Sequence, residues 1–116
     1  MTTTHAGTHL IGEDSVLRLT WLALPNAGNG VYADSGRYSD KTVQVTGTFG
    51  SAGSVTIKGS NDATNWVTMN DTDNNALTFT SAGGKLCREN YRYIRPEVTA
   101  GDGTTSLNVY ISAPAK

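Results

Sequence analysis

The stretch Val55-Thr56-Ile57-Lys58-Gly59 alternates apolar and polar residues, then passes through the turn Ser60-Asn61-Asp62-Ala63-Thr64 into a second run, Asn65-Trp66-Val67-Thr68-Met69. A period of two places successive side chains on opposite faces of a β-strand. The same unit recurs from Lys41 to Ile111, each time with a turn rich in Gly, Asn, Asp or Ser. Repeated strand–turn units of this kind predict an all-β sandwich or barrel.

The pattern predicts roughly eight or nine strands in all. The first runs from Val16 to Leu24, where Leu17, Leu19 and Trp21 share one face. No long window shows an apolar period of 3.6 residues, so we expect little or no helix.

Successive strands joined by short turns are interpreted as hairpins, which build antiparallel sheets. Two packed sheets with this number of strands favour a jelly roll, with an immunoglobulin-like sandwich as the alternative. The Cys-Trp-Cys pattern of immunoglobulin domains is absent from the sequence. The predicted core between the sheets contains Val43, Val45, Phe49, Val55, Ile57, Leu77, Phe79, Ile94, Leu107 and Val109.

The chain of 116 residues has the length of one domain. We expect a single β-sandwich domain over residues 16–116, preceded by an extended N-terminal arm over residues 1–15. The arm offers little apolar surface beyond Leu10 and Ile11. It is interpreted either as a frayed tail or as a segment that orders on a neighbouring subunit.

Charge and hydropathy argue against several partners. The net charge is −1 and no basic run occurs, so nucleic-acid binding through phosphate contacts is not expected. No apolar stretch approaches the ~18 residues of a membrane span, and the N-terminus does not resemble a signal peptide. Cys87 is the only cysteine, which fits a reducing cytoplasm and a role as a small core residue.

Motifs for catalysis and metal binding are also missing. The run from Asp71 to Asn75 opens like a calcium loop, but Ala76 and Ala82 stand where the loop needs a glycine and a bidentate glutamate. No nucleophile motif, phosphate loop or metal-ligand spacing occurs. We therefore expect no enzyme activity, no metal and no cofactor.

Two aromatic features are candidate contact surfaces. If Ile94 faces inward, then Tyr91, Tyr93 and Arg95 share the outer face of their strand, and Tyr and Arg are enriched at interface cores. The alternative is a solvated strand face whose side chains pack only against their cross-strand neighbours. Trp66, beside a turn, is either a possible flat platform for a sugar or a residue that caps the open end of the sandwich.

Several turns and strand cores carry a resemblance to a known family. They are Gly47-Thr48-Phe49-Gly50, Gly59-Ser60-Asn61-Asp62, Asn65-Trp66, Ala76-Leu77-Thr78-Phe79, Tyr91-Arg92-Tyr93-Ile94-Arg95-Pro96 and Gly101-Asp102-Gly103-Thr104. Over about residues 41–111 the chain resembles small virion proteins of tailed bacteriophages, in particular capsid cement or decoration proteins.

The resemblance implies a structural function. Such a protein binds the outer surface of the phage head where major capsid protein subunits meet, and it stabilises the shell. It would be made in the cytoplasm of the bacterial host, reside on the capsid exterior, and pair with itself as a homodimer or homotrimer. The residues expected to contact partners are Thr2, Thr3, Thr4, His5, Leu10, Ile11, Tyr91, Tyr93 and Arg95. The alternative is a carbohydrate-binding β-sandwich module, itself displayed on a virion or not, with Trp66 as its sugar platform.

Overall fold

The computed structural model describes residues 16–34 and 41–114. This part of the chain contains β-strands and connecting turns and no helix. The strands are β1 (Val16–Leu24), β2 (Ala33–Asp34), β3 (Thr42–Thr48), β4 (Ser54–Ser60), β5 (Val67–Thr68), β6 (Thr78–Phe79), β7 (Gly83–Leu86), β8 (Tyr93–Ala100) and β9 (Ser106–Pro114). The predicted arm, with the expected contact residues Thr2, Thr3, Thr4, His5, Leu10 and Ile11, lies outside the described residues.

The strands form two antiparallel sheets that pack face to face. The first sheet has the order β1-β9-β3-β7, and the second has the order β2-β8-β4-β5, with β6 also paired to β4. The predicted all-β sandwich is therefore confirmed.

The pairing is nested along the chain. Strand β1 pairs with β9, β2 with β8, β3 with β7, and β4 with β5 and β6. Rolling such nested pairs into two sheets gives the jelly-roll arrangement. In an immunoglobulin-like sandwich the first two strands share a sheet, whereas here β1 and β2 belong to different sheets.

The expectation of consecutive hairpins is wrong for most of the chain. The turn at residues 50–53 takes the chain from β3 in the first sheet to β4 in the second. Among the described residues, hairpins join β4 to β5 and the segment at Met69 to the segment at Leu77. The crossing lets Val45 of β3 and Val55 of β4 face the same core from opposite sheets. Burial of both apolar faces thus decides the topology, although the turn itself has the composition of a hairpin loop.

The core lies between the sheets and consists of alternate residues from each strand. Every predicted core residue is buried except Phe49, which is partly buried and packs against the core. Cys87 is also a core residue, 4 % exposed, as expected from the sequence. Burial raises the pKa of its thiol.

The outer faces of the two sheets differ in chemistry. On the first sheet, Thr20, Tyr110, Gln44 and Gly84 stand side by side on neighbouring strands. On the second sheet, the outward positions of β8 are Tyr93, Arg95 and Glu97, and they lie opposite Ser60, Lys58 and Thr56 of β4. Charged and aromatic side chains are therefore concentrated on the outer face of the second sheet.

Candidate functional site

The candidate site is a cluster of aromatic and arginine side chains on the outer face of the second sheet. We call it the aromatic–arginine face and define it by Tyr32, Trp66, Arg92, Tyr93 and Arg95. The ring of Tyr32 lies 5.7 Å from that of Trp66 and 5.1 Å from that of Tyr93, centre to centre. The contact with Tyr93 is edge-to-face, a favoured geometry for aromatic pairs.

The residue beneath this cluster is small. Ser60 of β4 lies directly opposite Tyr93 and is almost fully buried. Its hydroxyl donates to the Asp62 carboxylate at 2.8 Å and accepts the N–H of Ala63 at 2.9 Å. Ser60 therefore ties the start of the β4–β5 loop to the sheet.

The same loop fixes the position of Trp66. The Asp62 carboxylate accepts the N–H groups of Thr64 and Asn65 at 2.9 and 2.8 Å, and its other oxygen accepts the Asn65 side-chain amide at 2.8 Å. These bonds to the ionised form hold the pKa of Asp62 far below its usual range, the backbone N–H of Asn65 contributing most. These hydrogen bonds close the loop, and the closed loop positions Trp66 at the sheet surface immediately before β5.

Arg95 makes two contacts at once. Its guanidinium donates from Nε at 3.0 Å and from Nη2 at 2.7 Å to the same oxygen of Glu97. The guanidinium carbon also lies 4.3 Å from the centre of the Trp66 ring. Stacking on an aromatic face while binding a carboxylate is typical of arginine, because its guanidinium is planar and always charged.

The rim of the face carries a second, more exposed arginine. Arg92 lies over the Tyr93 ring at 5.2 Å, and its Nε is 3.5 Å from an oxygen of Asp34. The Arg92 backbone N–H donates to the Asn61 side chain at 3.0 Å, which fixes the main chain at the entry to β8. The Arg92 side chain is 61 % exposed, so this ion pair is screened by solvent and contributes little to stability.

The structure places the sequence-predicted contact residues in two environments. Tyr93 and Arg95 lie on the aromatic–arginine face, together with Trp66. Tyr91 does not: it precedes β8 and packs partly buried against the core, where its ring would meet any side chain added at Gly59. The expectation that Tyr91 shares the outer face is corrected, because outward alternation begins only at Tyr93.

Sequence reasoning did not single out two residues of the face, Tyr32 and Arg92, or the adjacent Lys58. Tyr32 lies just before β2, and the pairing of β2 with the start of β8 brings it to Tyr93. Lys58 stands directly across from Arg95. The alternation of β4 predicts that Lys58 points outward. That Arg95 is its neighbour on β8 is known only from the strand register in the structure.

The aromatic–arginine face has the chemistry of a binding surface. Tyr32 is 46 % exposed, and Val31 beside it is 52 % exposed. The face combines the exposed Tyr32 and Arg92 with the half-buried Trp66, Tyr93 and Arg95. Tyrosine, tryptophan and arginine are the residue types that dominate the energetics of protein interfaces. The carboxylate of Glu97, the only acid on the outward positions of β8, is already bound by Arg95.

The run from Asp71 to Asn75 is a loop closed on itself. Oxygen Oδ1 of Asp71 accepts the N–H groups of Asp73 and Asn75 at 2.9 and 3.0 Å. These bonds, with that of Asn75 foremost, lower the pKa of Asp71.

Across residues 16–34 and 41–114, no group of three or more His, Cys, Asp or Glu side chains is placed to hold a metal ion. Nor does any helix in these ranges have the length and apolarity to cross a bilayer.

Comparisons with known proteins show similarity of fold. The SPBc2 prophage-derived protein YomS superposes with a TM-score of 0.64 and 11 % sequence identity, over 86 % of this chain and 95 % of that chain. At this identity the likeness extends to the fold alone.

Weaker likenesses exist to the metallopeptidase IMPa from Pseudomonas aeruginosa. A structure in complex with an O-glycopeptide gives a TM-score of 0.48 at 10 % identity, and a second structure gives 0.44 at 12 %. In both, the match spans 89 % of this chain and only 13 % of the metallopeptidase. No protein-family model and no curated protein matches the sequence.

Proposed function

We propose that this protein is a structural component of a tailed-bacteriophage virion, and specifically a capsid cement or decoration protein. It binds the outer surface of the head where major capsid protein subunits meet, and it braces the shell. The observation that carries the proposal is the aromatic–arginine face, a partly exposed group of interface-type side chains built on a two-sheet scaffold. We propose this face as the surface that docks on the capsid.

The phage context has two supports. The fold is similar to that of a prophage-derived protein along nearly the whole of both chains. The turns and strand cores between residues 41 and 111 resemble those of small phage head proteins. The proposal places the protein on the exterior of the virion, after synthesis in the host cytoplasm.

The mode of binding follows from the size of the face. A few aromatic and arginine side chains supply modest affinity per copy, so we propose that the protein acts as a homodimer or homotrimer. Linking binding sites in this way raises apparent affinity by roughly 10²–10⁴. Neither nucleic acid nor membrane is a partner in this proposal, and the protein performs no catalysis.

Co-sedimentation with undecorated, matured capsids tests the proposal. We expect wild-type protein to pellet with capsids at micromolar concentration and Tyr32→Ala to bind about thirty-fold more weakly, since loss of a central interface tyrosine costs about 2 kcal/mol. Tyr110→Ala is the matched control, because it makes the same change on the outer face of the first sheet. Failure of wild-type protein to bind would refute the proposal.

A carbohydrate-binding module remains the second candidate, favoured by the half-exposed Tyr32 beside Trp66. Against it, the Arg95 guanidinium covers one side of the Trp66 ring. A polysaccharide that shifts tryptophan fluorescence in wild-type protein and not in Trp66→Leu would support this candidate. Capsid binding without such a shift would eliminate it.

A further inference from the structure

The outer face of the second sheet contains a pair of like charges at its centre. Lys58 of β4 and Arg95 of β8 are directly opposite in the register, and both point outward. Like charges in directly opposite positions on neighbouring strands are destabilising. A fold that keeps such a pair needs an acid to compensate each charge.

Arg95 has its acid. Glu97 accepts both guanidinium bonds from Arg95, and the Arg95 side chain is only 23 % exposed. Arg92 likewise faces Asp34. Each arginine of the aromatic–arginine face is therefore matched by a carboxylate from the same face.

Lys58 has none. In the described ranges, 16–34 and 41–114, no hydrogen bond or ion pair engages its ammonium group. Its other cross-strand neighbour is Thr68, which is uncharged. Counted over the described residues Lys58, Arg92, Arg95, Asp34 and Glu97, one positive charge is uncompensated. It belongs to Lys58, directly across from the Arg95 that stacks on the Trp66 ring.

We propose that the Lys58 ammonium is the binding point for a carboxylate presented by a partner protein, and that the aromatic–arginine face docks on an acidic residue flanked by apolar groups. This inference rests on the proposed function, since it specifies the chemistry of the capsid surface that the face would contact. The ion pair would form at the half-buried Lys58, across from an Arg95 side chain that is only 23 % exposed, and opposite charges gain most from pairing where water is partly excluded.

The first test needs no capsid. Full-length ¹⁵N-labelled protein is titrated with a hexaglutamate peptide, and hexaglutamine is the neutral control. We expect the Lys58 amide and the Trp66 indole N–H signals to move, and the buried Trp21 indole, bonded to the Val31 carbonyl at 2.9 Å, to stay in place. The shifts should vanish in high salt, because screening removes the attraction.

Three variants separate recognition from structure. Lys58→Gln should abolish the hexaglutamate shifts, Lys58→Arg should keep them, and Arg88→Gln, the same loss of charge at an exposed site bonded to Asn74, should leave them unchanged. Lys58→Gln should also unfold at an equal or higher urea concentration than wild type, because it removes the repulsion with Arg95. A lower unfolding midpoint would show that Lys58 is structural and would overturn the inference.

Capsid binding supplies the second test and keeps the two proposals distinguishable. If wild-type protein binds capsids, Lys58→Gln should bind about tenfold more weakly, with a shallower salt dependence. Equal binding would overturn the inference and leave the proposed function standing. If wild-type protein does not bind capsids, the proposed function fails and the hexaglutamate titration decides the inference alone. Shifts with polygalacturonate but not with hexaglutamate would also overturn it, because the carboxylate would then come from a polysaccharide.

Discussion

Removal of the stack between Trp66 and Arg95 is the perturbation that best tests the geometry of the aromatic–arginine face. In Trp66→Leu the guanidinium of Arg95 loses the ring that lies 4.3 Å away, and Tyr32 loses a ring contact at 5.7 Å. Arg95 keeps its hydrogen bonds to Glu97, so the rest of the face is left in place.

The magnitude follows from these two contacts. A cation–π pair contributes about 0.5–1 kcal/mol when exposed and about 2 when desolvated. The Arg95 side chain is 23 % exposed, which places this pair between those limits, at about 1 kcal/mol. The aromatic contact with Tyr32 adds about 0.5–1.5 kcal/mol. We expect Trp66→Leu to lower the free energy of unfolding by about 1.5–2.5 kcal/mol.

Urea unfolding of a double-mutant cycle isolates the stack. The cycle comprises wild type, Trp66→Leu, Arg95→Gln and the double variant, and the loss of the Glu97 pair cancels because it occurs in both Arg95 arms. We expect a coupling energy of about 1 kcal/mol between Trp66 and Arg95. The control cycle pairs Trp66→Leu with Arg88→Gln and should be additive within about 0.3–0.5 kcal/mol. A Trp66–Arg95 coupling no larger than that of the control would refute the reasoning.

Three further predictions concern the scaffold. Cys87→Ser should lower the free energy of unfolding by about 1–2 kcal/mol through a buried hydroxyl, and the native thiol should resist maleimide until urea unfolds the chain. Gly30→Ala should cost about 1–3 kcal/mol, measured by the same unfolding assay, because its Cβ would lie 2.6 Å from Pro96 Cδ and 2.7 Å from the Trp21 ring. The pKa of Asp102 is lowered to about 2, chiefly by the Thr104 hydroxyl, so its contribution to stability is complete above about pH 4 and is lost as pH falls through 2. Asp102→Asn should therefore be less stable than wild type at pH 7, and the difference should shrink towards pH 2; a difference independent of pH would contradict this.

The strands and their faces follow directly from the sequence. Alternation placed Val43, Val45, Val55 and Ile57 in the core, and the first strand has the predicted bounds, Val16–Leu24. These features are local, because a period of two fixes which side chains point the same way whatever strand lies alongside.

The pairing of strands does not follow from local pattern. The turn at residues 50–53 has the composition of a hairpin loop, yet it connects strands of different sheets. Pro96 has no backbone N–H to donate, yet it lies within β8. There the segment at Gly30, whose N–H donates to the Pro96 carbonyl at 2.8 Å, takes the place of a longer neighbouring strand. Which strands a turn connects, and which segment lies beside a given strand, depends on how the apolar surface of the whole chain is buried.

The candidate site was partly predictable for the same reason. Tyr93 and Arg95 alternate within one strand, so their shared outer face could be inferred from the sequence. Tyr32 and Lys58 belong to other strands or loops and reach the site only through the pairing of β2 and β4 with β8. The position of Tyr91 was not predictable in this way, because Tyr91 lies two residues before the start of β8, where the alternation of the strand does not apply.

The central claim is that the aromatic–arginine face is a docking surface for the phage capsid. Its most direct test is the ratio of capsid affinities of Tyr32→Ala and Tyr110→Ala, measured by co-sedimentation with matured shells. The account predicts that Tyr32→Ala binds about thirty-fold more weakly than Tyr110→Ala, and that Tyr110→Ala binds like wild type. Equal binding by the two variants, or a loss confined to Tyr110→Ala, would contradict it.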